Sequence, residues 1–133
     1  LPLYGAGYMP KAIDLGCGSG RDAFWLASRG FQVVGADASI EMIRNAWDQK
    51  QLKTRITYLE DQIPTLSRVK ARKETFDFFL MSAVWMHLDT QERADAIDAM
   101  AAMARPGATG YISLRHGERP KDRPMFDTSA AEV

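Results

Sequence analysis

Asp14-Leu15-Gly16-Cys17-Gly18-Ser19-Gly20 is the stretch that decides the fold. Ahead of it, Lys11 to Leu15 is short and apolar and reads as a buried strand. Behind it, Arg21 to Arg29 places Ala23, Leu26 and Ala27 at helical spacing, with Gly30 as the stop. A strand that runs through alternating glycines into a helix has the context of a ligand-binding turn. Glycine turns sharply and lets a ligand press against bare backbone, and the first amides of the helix offer partial positive charge to an anion. The spacing is G-x-G-x-G. A dinucleotide loop, G-x-G-x-x-G, needs its third glycine where Arg21 stands, so a nicotinamide-dependent dehydrogenase is a poor reading.

Outward from this loop, strand-like and helix-like segments alternate, the pattern of a parallel α/β sheet. Phe31 to Ala36 reads as a second strand, and Ser39 as the N-cap of a helix carrying Ile40, Ile43, Ala46 and Trp47. Ile56 to Leu59 is a short third strand, and Asp61 to Lys73 is part loop and part short helix. The charged run from Lys70 to Glu74 reads as a solvated face. Phe76 to Met81 is a fourth, central strand. Asp89 with Glu92 forms a capping-box pattern, opening a helix through Ala94, Ile97, Ala101 and Ala104. Arg105-Pro106-Gly107 ends that helix, and Gly110 to Arg115 is a fifth strand. Right-handed crossovers then predict a three-layer α/β/α sandwich of about five mainly parallel strands in order 3-2-1-4-5, with ligands at the carboxyl ends of strands one and four.

The totals exclude several classes. Lys plus Arg equals Asp plus Glu at 17 each, so the net charge is zero and no global field draws the chain to nucleic acid or an anionic membrane. No apolar run approaches the roughly 20 residues of a membrane span. Cys17 is the only cysteine, which rules out a disulfide within the chain and a thiolate metal cluster; it fits a reducing, cytoplasmic home. We therefore expect no metal, no membrane and no nucleic-acid partner. The chain opens at Leu1 and stops after Val133, and we expect residues 1–133 to be one domain, a piece of a longer protein.

Asp14 to Gly20 resembles the first motif of class I S-adenosylmethionine-dependent methyltransferases, and the likeness runs in order from Lys11 to about Arg115. The resemblance implies a Rossmann-like S-adenosylmethionine-binding core without the family's last two strands, leaving an exposed fifth-strand edge through which copies can pair. It also implies a cofactor site. Asp14 would serve the ammonium end of S-adenosylmethionine (and of the product S-adenosylhomocysteine), with Gly16, Cys17, Gly18 and Gly20 as the loop around it. Asp37, with Ala38 beside it, would accept both ribose hydroxyls. Asp61 would accept from the adenine amine, with Gln62 alongside and Ile63 packed on the ring. Met81 and Ser82, with Ala83, would line the cleft at the transferable methyl. Arg21 is a candidate for the methionyl carboxylate. Asp77, at the far end of its strand, closes that strand; Trp85 and Met86 pack. Cys17 reads as packing, not as a nucleophile.

No general base stands out. His87 and His116 are candidates, and Arg115, His116 and Arg123 together are a candidate cationic acceptor pocket. The implied reaction is methyl transfer to a small-molecule acceptor. The alternatives are a non-catalytic cofactor-binding or regulatory module and a nucleic-acid methyltransferase. Met81-Ser82-Ala83-Val84 stands where amino-directed DNA enzymes carry an Asn-Pro-Pro-Tyr-like element, which counts against the last.

Overall fold

The computed structural model describes residues 5, 7–49, 55–82 and 84–113. Five strands form one sheet: β1 (Lys11–Leu15), β2 (Gln32–Asp37), β3 (Ile56–Glu60), β4 (Phe76–Ser82) and β5 (Ala104–Ser113). Every pairing is parallel, and the order is β3-β2-β1-β4-β5. Between them run α1 (Arg21–Ser28), α2 (Ile40–Asp48), α3 (Ser67–Ala71) and α4 (Thr90–Ala102), with a 3₁₀ turn over Trp85–His87. The predicted α/β/α sandwich and its strand order are thus observed, with β5 at one edge.

Successive strand residues point to opposite faces, and each face has its own core. Ile13, Leu15, Val34, Ala36, Phe79 and Met81 pack with Leu66, Val69, Trp85, Ala96 and Ala99 on the α3/α4 side. Ala12, Val33, Ile56 and Phe78 pack with Ala23, Leu26 and Ala27 on the α1 side. Both faces are covered, which is why these strands read as continuous apolar runs.

Local chemistry sets the helix starts. Ser39 Oγ accepts the Met42 N–H at 3.3 Å. Asp89 and Glu92 close the predicted capping box on each other's amides at 2.8 and 3.0 Å. Inside the helices the periodicity was less faithful. On α2 only Ile43 and Ala46 are buried, while Ile40 and Trp47 lie 41% and 49% exposed. On α4 the buried face is Arg93, Ala96 and Ala99, and the expected Ala94, Ile97 and Ala101 face outward. The cause is Arg93: its guanidinium lies 5.5 Å from the Trp85 ring centroid and its Nε donates to the Trp85 carbonyl at 3.3 Å. A buried arginine rotates the inward face away from the one an apolar count selects.

The helix also ends earlier than expected. α4 stops at Ala102 and β5 begins at Ala104, so Arg105-Pro106-Gly107 lies within the strand. Phe76 pairs with Ala104 but Phe78 with Thr109, so residues 105–108 bulge opposite the single Asp77. Asp77 is the reason. It accepts from the Lys11 N–H at 3.0 Å, the Tyr8 hydroxyl at 2.9 Å and Arg105 Nη1 at 2.9 Å. The strand-closing role expected of Asp77 is therefore larger than one strand, because it clasps three segments. Within the charged run, Lys70 to Lys73 are exposed, while Glu74 is half-buried and pairs with Lys11 and Arg72.

Candidate functional site

The registers Leu15↔Ala36, Leu15↔Met81 and Asp37↔Glu60 bring four strand ends to one rim of the sheet. The glycine loop crosses that rim. Gly16 and Cys17 both donate to the Ala36 carbonyl, at 2.7 and 3.0 Å, and Gly20 donates to the Cys17 carbonyl at 3.0 Å. Gly16 has φ +79°, and a Cβ there would stand 2.3 Å from Val84 Cγ2, so only glycine fits against the segment leaving β4.

Asp14 lies beneath this loop and is 1% exposed. Neither of its carboxylate oxygens has a hydrogen-bond partner. Burial pushes its pKa up to about 7; Asp22 and Asp37 add to the rise, and the Ala23 amide and Arg21 oppose it, neither of them meeting hydrogen-bond geometry. A buried carboxylate without a partner is costly to ionise, which is why its pKa rises, and a cation brought beside it would relieve that cost. The same burial, with the fields of Asp14 and Asp37, raises Cys17 above the ordinary thiol range. Cys17 is 7% exposed, and its Sγ contacts the Gly18 carbonyl at 3.6 Å. It packs, as expected, and is not poised as a nucleophile.

Asp37 is half-buried at the end of β2. Its Oδ2 accepts the Gly18 N–H at 2.9 Å and its Oδ1 the Ser39 N–H at 2.8 Å. One carboxylate thus fastens the glycine loop to the start of α2. Each oxygen still has a lone pair for a further donor. Ala38 beside it is exposed.

Asp61 is 7% exposed, and its oxygens accept from Gln62 N and Val69 N, both at 2.9 Å. Asp61 thus ties its own loop to the start of α3. Leu66, which precedes α3, supplies no side-chain cap, so the nearest carboxylate satisfies the open amides of that helix. Gln62 remains exposed and Ile63 half-buried against the α3/α4-side core. Arg21 points to solvent with an 86% exposed side chain, paired to Asp22 at 3.3 Å. Met81 is buried and Ser82 half-buried at the end of β4. His87 closes the 3₁₀ turn through its N–H to the Val84 carbonyl at 2.9 Å. Ala83, Arg115, His116 and Arg123 lie outside the described residues.

Three contributors went unread in the sequence. Gln49 Nε2 donates to the Ser19 carbonyl at 2.9 Å, holding the loop tip from the end of α2. Met42 Cε is the nearest atom to the Cβ position of Gly18, at 3.9 Å. Tyr58 stands under Gly20. None carries a motif; each is found only when the register sets β3 and α2 against the loop. Among the described residues no group of His, Cys, Asp or Glu could hold a metal ion, and no helix is long and apolar enough to cross a membrane.

Comparison with known proteins gives this geometry a family. The methyltransferase domain family matches residues 12–107. Glycine N-methyltransferase of Mus musculus is 26% identical over 118 residues, covering 80% of this chain and 40% of that protein. A protein named hemagglutinin 1, from Eikenella corrodens, is 29% identical over 105 residues, covering 77% of this chain and 33% of that one. The chain therefore spans only a third to two fifths of these relatives. Among solved structures, the glycopeptide N-methyltransferase MtfA in complex with S-adenosylhomocysteine superimposes with a TM-score of 0.72 at 17% identity, covering 85% of this chain and 48% of that one. With the family match spanning its sheet from β1 into β5, the chain belongs to the methyltransferase domain family.

Proposed function

We propose that this chain binds S-adenosylmethionine at the glycine-loop rim and forms the core of an enzyme that methylates a small molecule. The observation that carries the reading is Asp14: a fully buried carboxylate, without partners, beneath a three-glycine loop. The methionyl ammonium is a cation of the charge that site lacks, so the donor set fits the ligand. Asp37 would take the ribose hydroxyls on its remaining lone pairs, and Gln62 with Ile63 would flank the base. When bound, S-adenosylmethionine supplies an electrophilic methyl group on a sulfonium.

The residues of the chain hold and orient. Asp14 fixes the charged end, the loop amides are pinned by Ala36 and Asp37, and Ser82 marks the strand end beside the reacting centre. Positioning of this kind accounts for much of the rate in a transfer from an activated donor. Zero net charge supports a small acceptor, as does the 26% identity to an enzyme named for glycine. No described residue is assigned as general base.

Titration calorimetry with S-adenosylmethionine and S-adenosylhomocysteine tests the reading, with NAD as control. Saturable binding of both sulfur ligands, lost in Asp37→Ala and absent for NAD, is the expected outcome. A folded chain that binds neither sulfur ligand overturns it. Binding without methyl transfer to any acceptor, in a protein carrying its full sequence, would instead favour the binding-module alternative.

A further inference from the structure

We propose that Tyr58 is a positioning residue of the cofactor site, its ring filling the room that Gly20 of the loop and Gly35 of β2 leave open and so setting the seat of the loop above Asp14. The inference rests on the cofactor reading above and extends it to a residue that carries no motif.

Three contacts support it. Gly35 and Tyr58 are register partners across β2 and β3. A Cβ on Gly35 would stand 2.9 and 3.0 Å from Tyr58 Cδ1 and Cε1 and 3.1 Å from Cys17 Sγ. A Cβ on Gly20 would stand 2.5 Å from the Tyr58 hydroxyl and 3.2 Å from Ala46 Cβ. The ring therefore lies across a gap made by two absent side chains, one in the sheet and one in the loop. Gly20 is the residue before α1 and has φ +93°, so whatever supports it also sets where the first turn of α1 begins. The phenol stays neutral at working pH, since burial and the neighbouring Cys17 and Asp14 push its pKa up to about 12. Its contribution to the loop is shape.

A loop seated this way acts on the methionyl end of the ligand, where Asp14 lies, and not on the adenosine end, where Asp37, Gln62 and Ile63 lie. That separation supplies the test. S-adenosylhomocysteine carries both ends; 5′-methylthioadenosine keeps the adenosine and the thioether but lacks the amino acid. Both are titrated into the 133-residue chain and its variants. In Tyr58→Ala, S-adenosylhomocysteine should weaken about 10-fold while 5′-methylthioadenosine stays within about twofold. Tyr58→Phe, which keeps the ring beside Gly35 but not the hydroxyl beneath Gly20, should restore part of the loss.

A second route avoids a truncated core. Gly35→Ala forces the ring aside and should reproduce the selective loss, and adding Tyr58→Val in the same chain should relieve it. Equal weakening of both ligands, or of neither, in Tyr58→Ala and in Gly35→Ala overturns the proposal. Failure of the unmodified chain to bind S-adenosylhomocysteine overturns the cofactor reading itself, and the role of Tyr58 with it.

Discussion

Asp14 carries a charge that the folded chain holds at a cost. Its folded pKa of about 7 lies above the unfolded value near 4, so between those limits the folded state binds the extra proton. Stability from this group is therefore greatest at low pH and falls as pH rises through 7. Asp14→Asn removes the charge and should raise the melting temperature of the ligand-free chain at pH 8 while leaving it nearly unchanged near pH 4, below which both states are protonated. The same substitution should abolish binding of S-adenosylhomocysteine, because the ammonium loses its counter-charge. Thermal melts at the two pH values, followed by calorimetry, check both halves. A variant that melts lower at pH 8, or binds as tightly as before, would show that Asp14 is not a held-open ligand group.

At the scale of elements, the termini are better specified than the faces. The Asp89–Glu92 box opens α4 with two reciprocal bonds. Its loss in Asp89→Ala should cost about 1 kcal/mol by urea denaturation. Affinity for S-adenosylhomocysteine should be unchanged, since that carboxylate is exposed and is spent on its own helix. The inward face of α4 was misread because Arg93 turns inward to cover Trp85, and an apolar count gives an arginine no weight. Loops show the same limit. Asp37 and Asp61 both follow a strand, yet one ties together the glycine loop and α2 while the other closes on its own loop and on α3.

For the whole molecule, the two rims of the sheet do different work. The carboxyl rim holds the glycine loop and Asp37. The opposite rim is closed by Asp77, which gathers the Tyr8 hydroxyl, the Lys11 amide and Arg105 from segments far apart in sequence. Asp77→Ala would remove the acceptor of the Lys11 amide and the counter-charge of Arg105, and should lower stability by about 2–3 kcal/mol. Because the change lies at the far rim, affinity for S-adenosylhomocysteine measured below the melting point should be unaltered. A loss of affinity there would mean that the two rims are coupled through the strands.

The sequence alone determined the strand order, the starts of α1, α2 and α4, the glycine loop and the place of Asp14 and Asp37. These depend on short-range signals: apolar runs, caps and glycine spacing act within a few residues, and right-handed crossovers convert their order into a sheet. Only the tertiary structure decided that Asp61 belongs to its loop, that Arg105-Pro106-Gly107 bulges to meet Asp77, that Arg93 is buried, and that Tyr58 fills the space beneath two glycines. Each depends on which residues lie opposite one another across strands distant in sequence. That register is set by packing both faces of the sheet at once, and no local pattern records it.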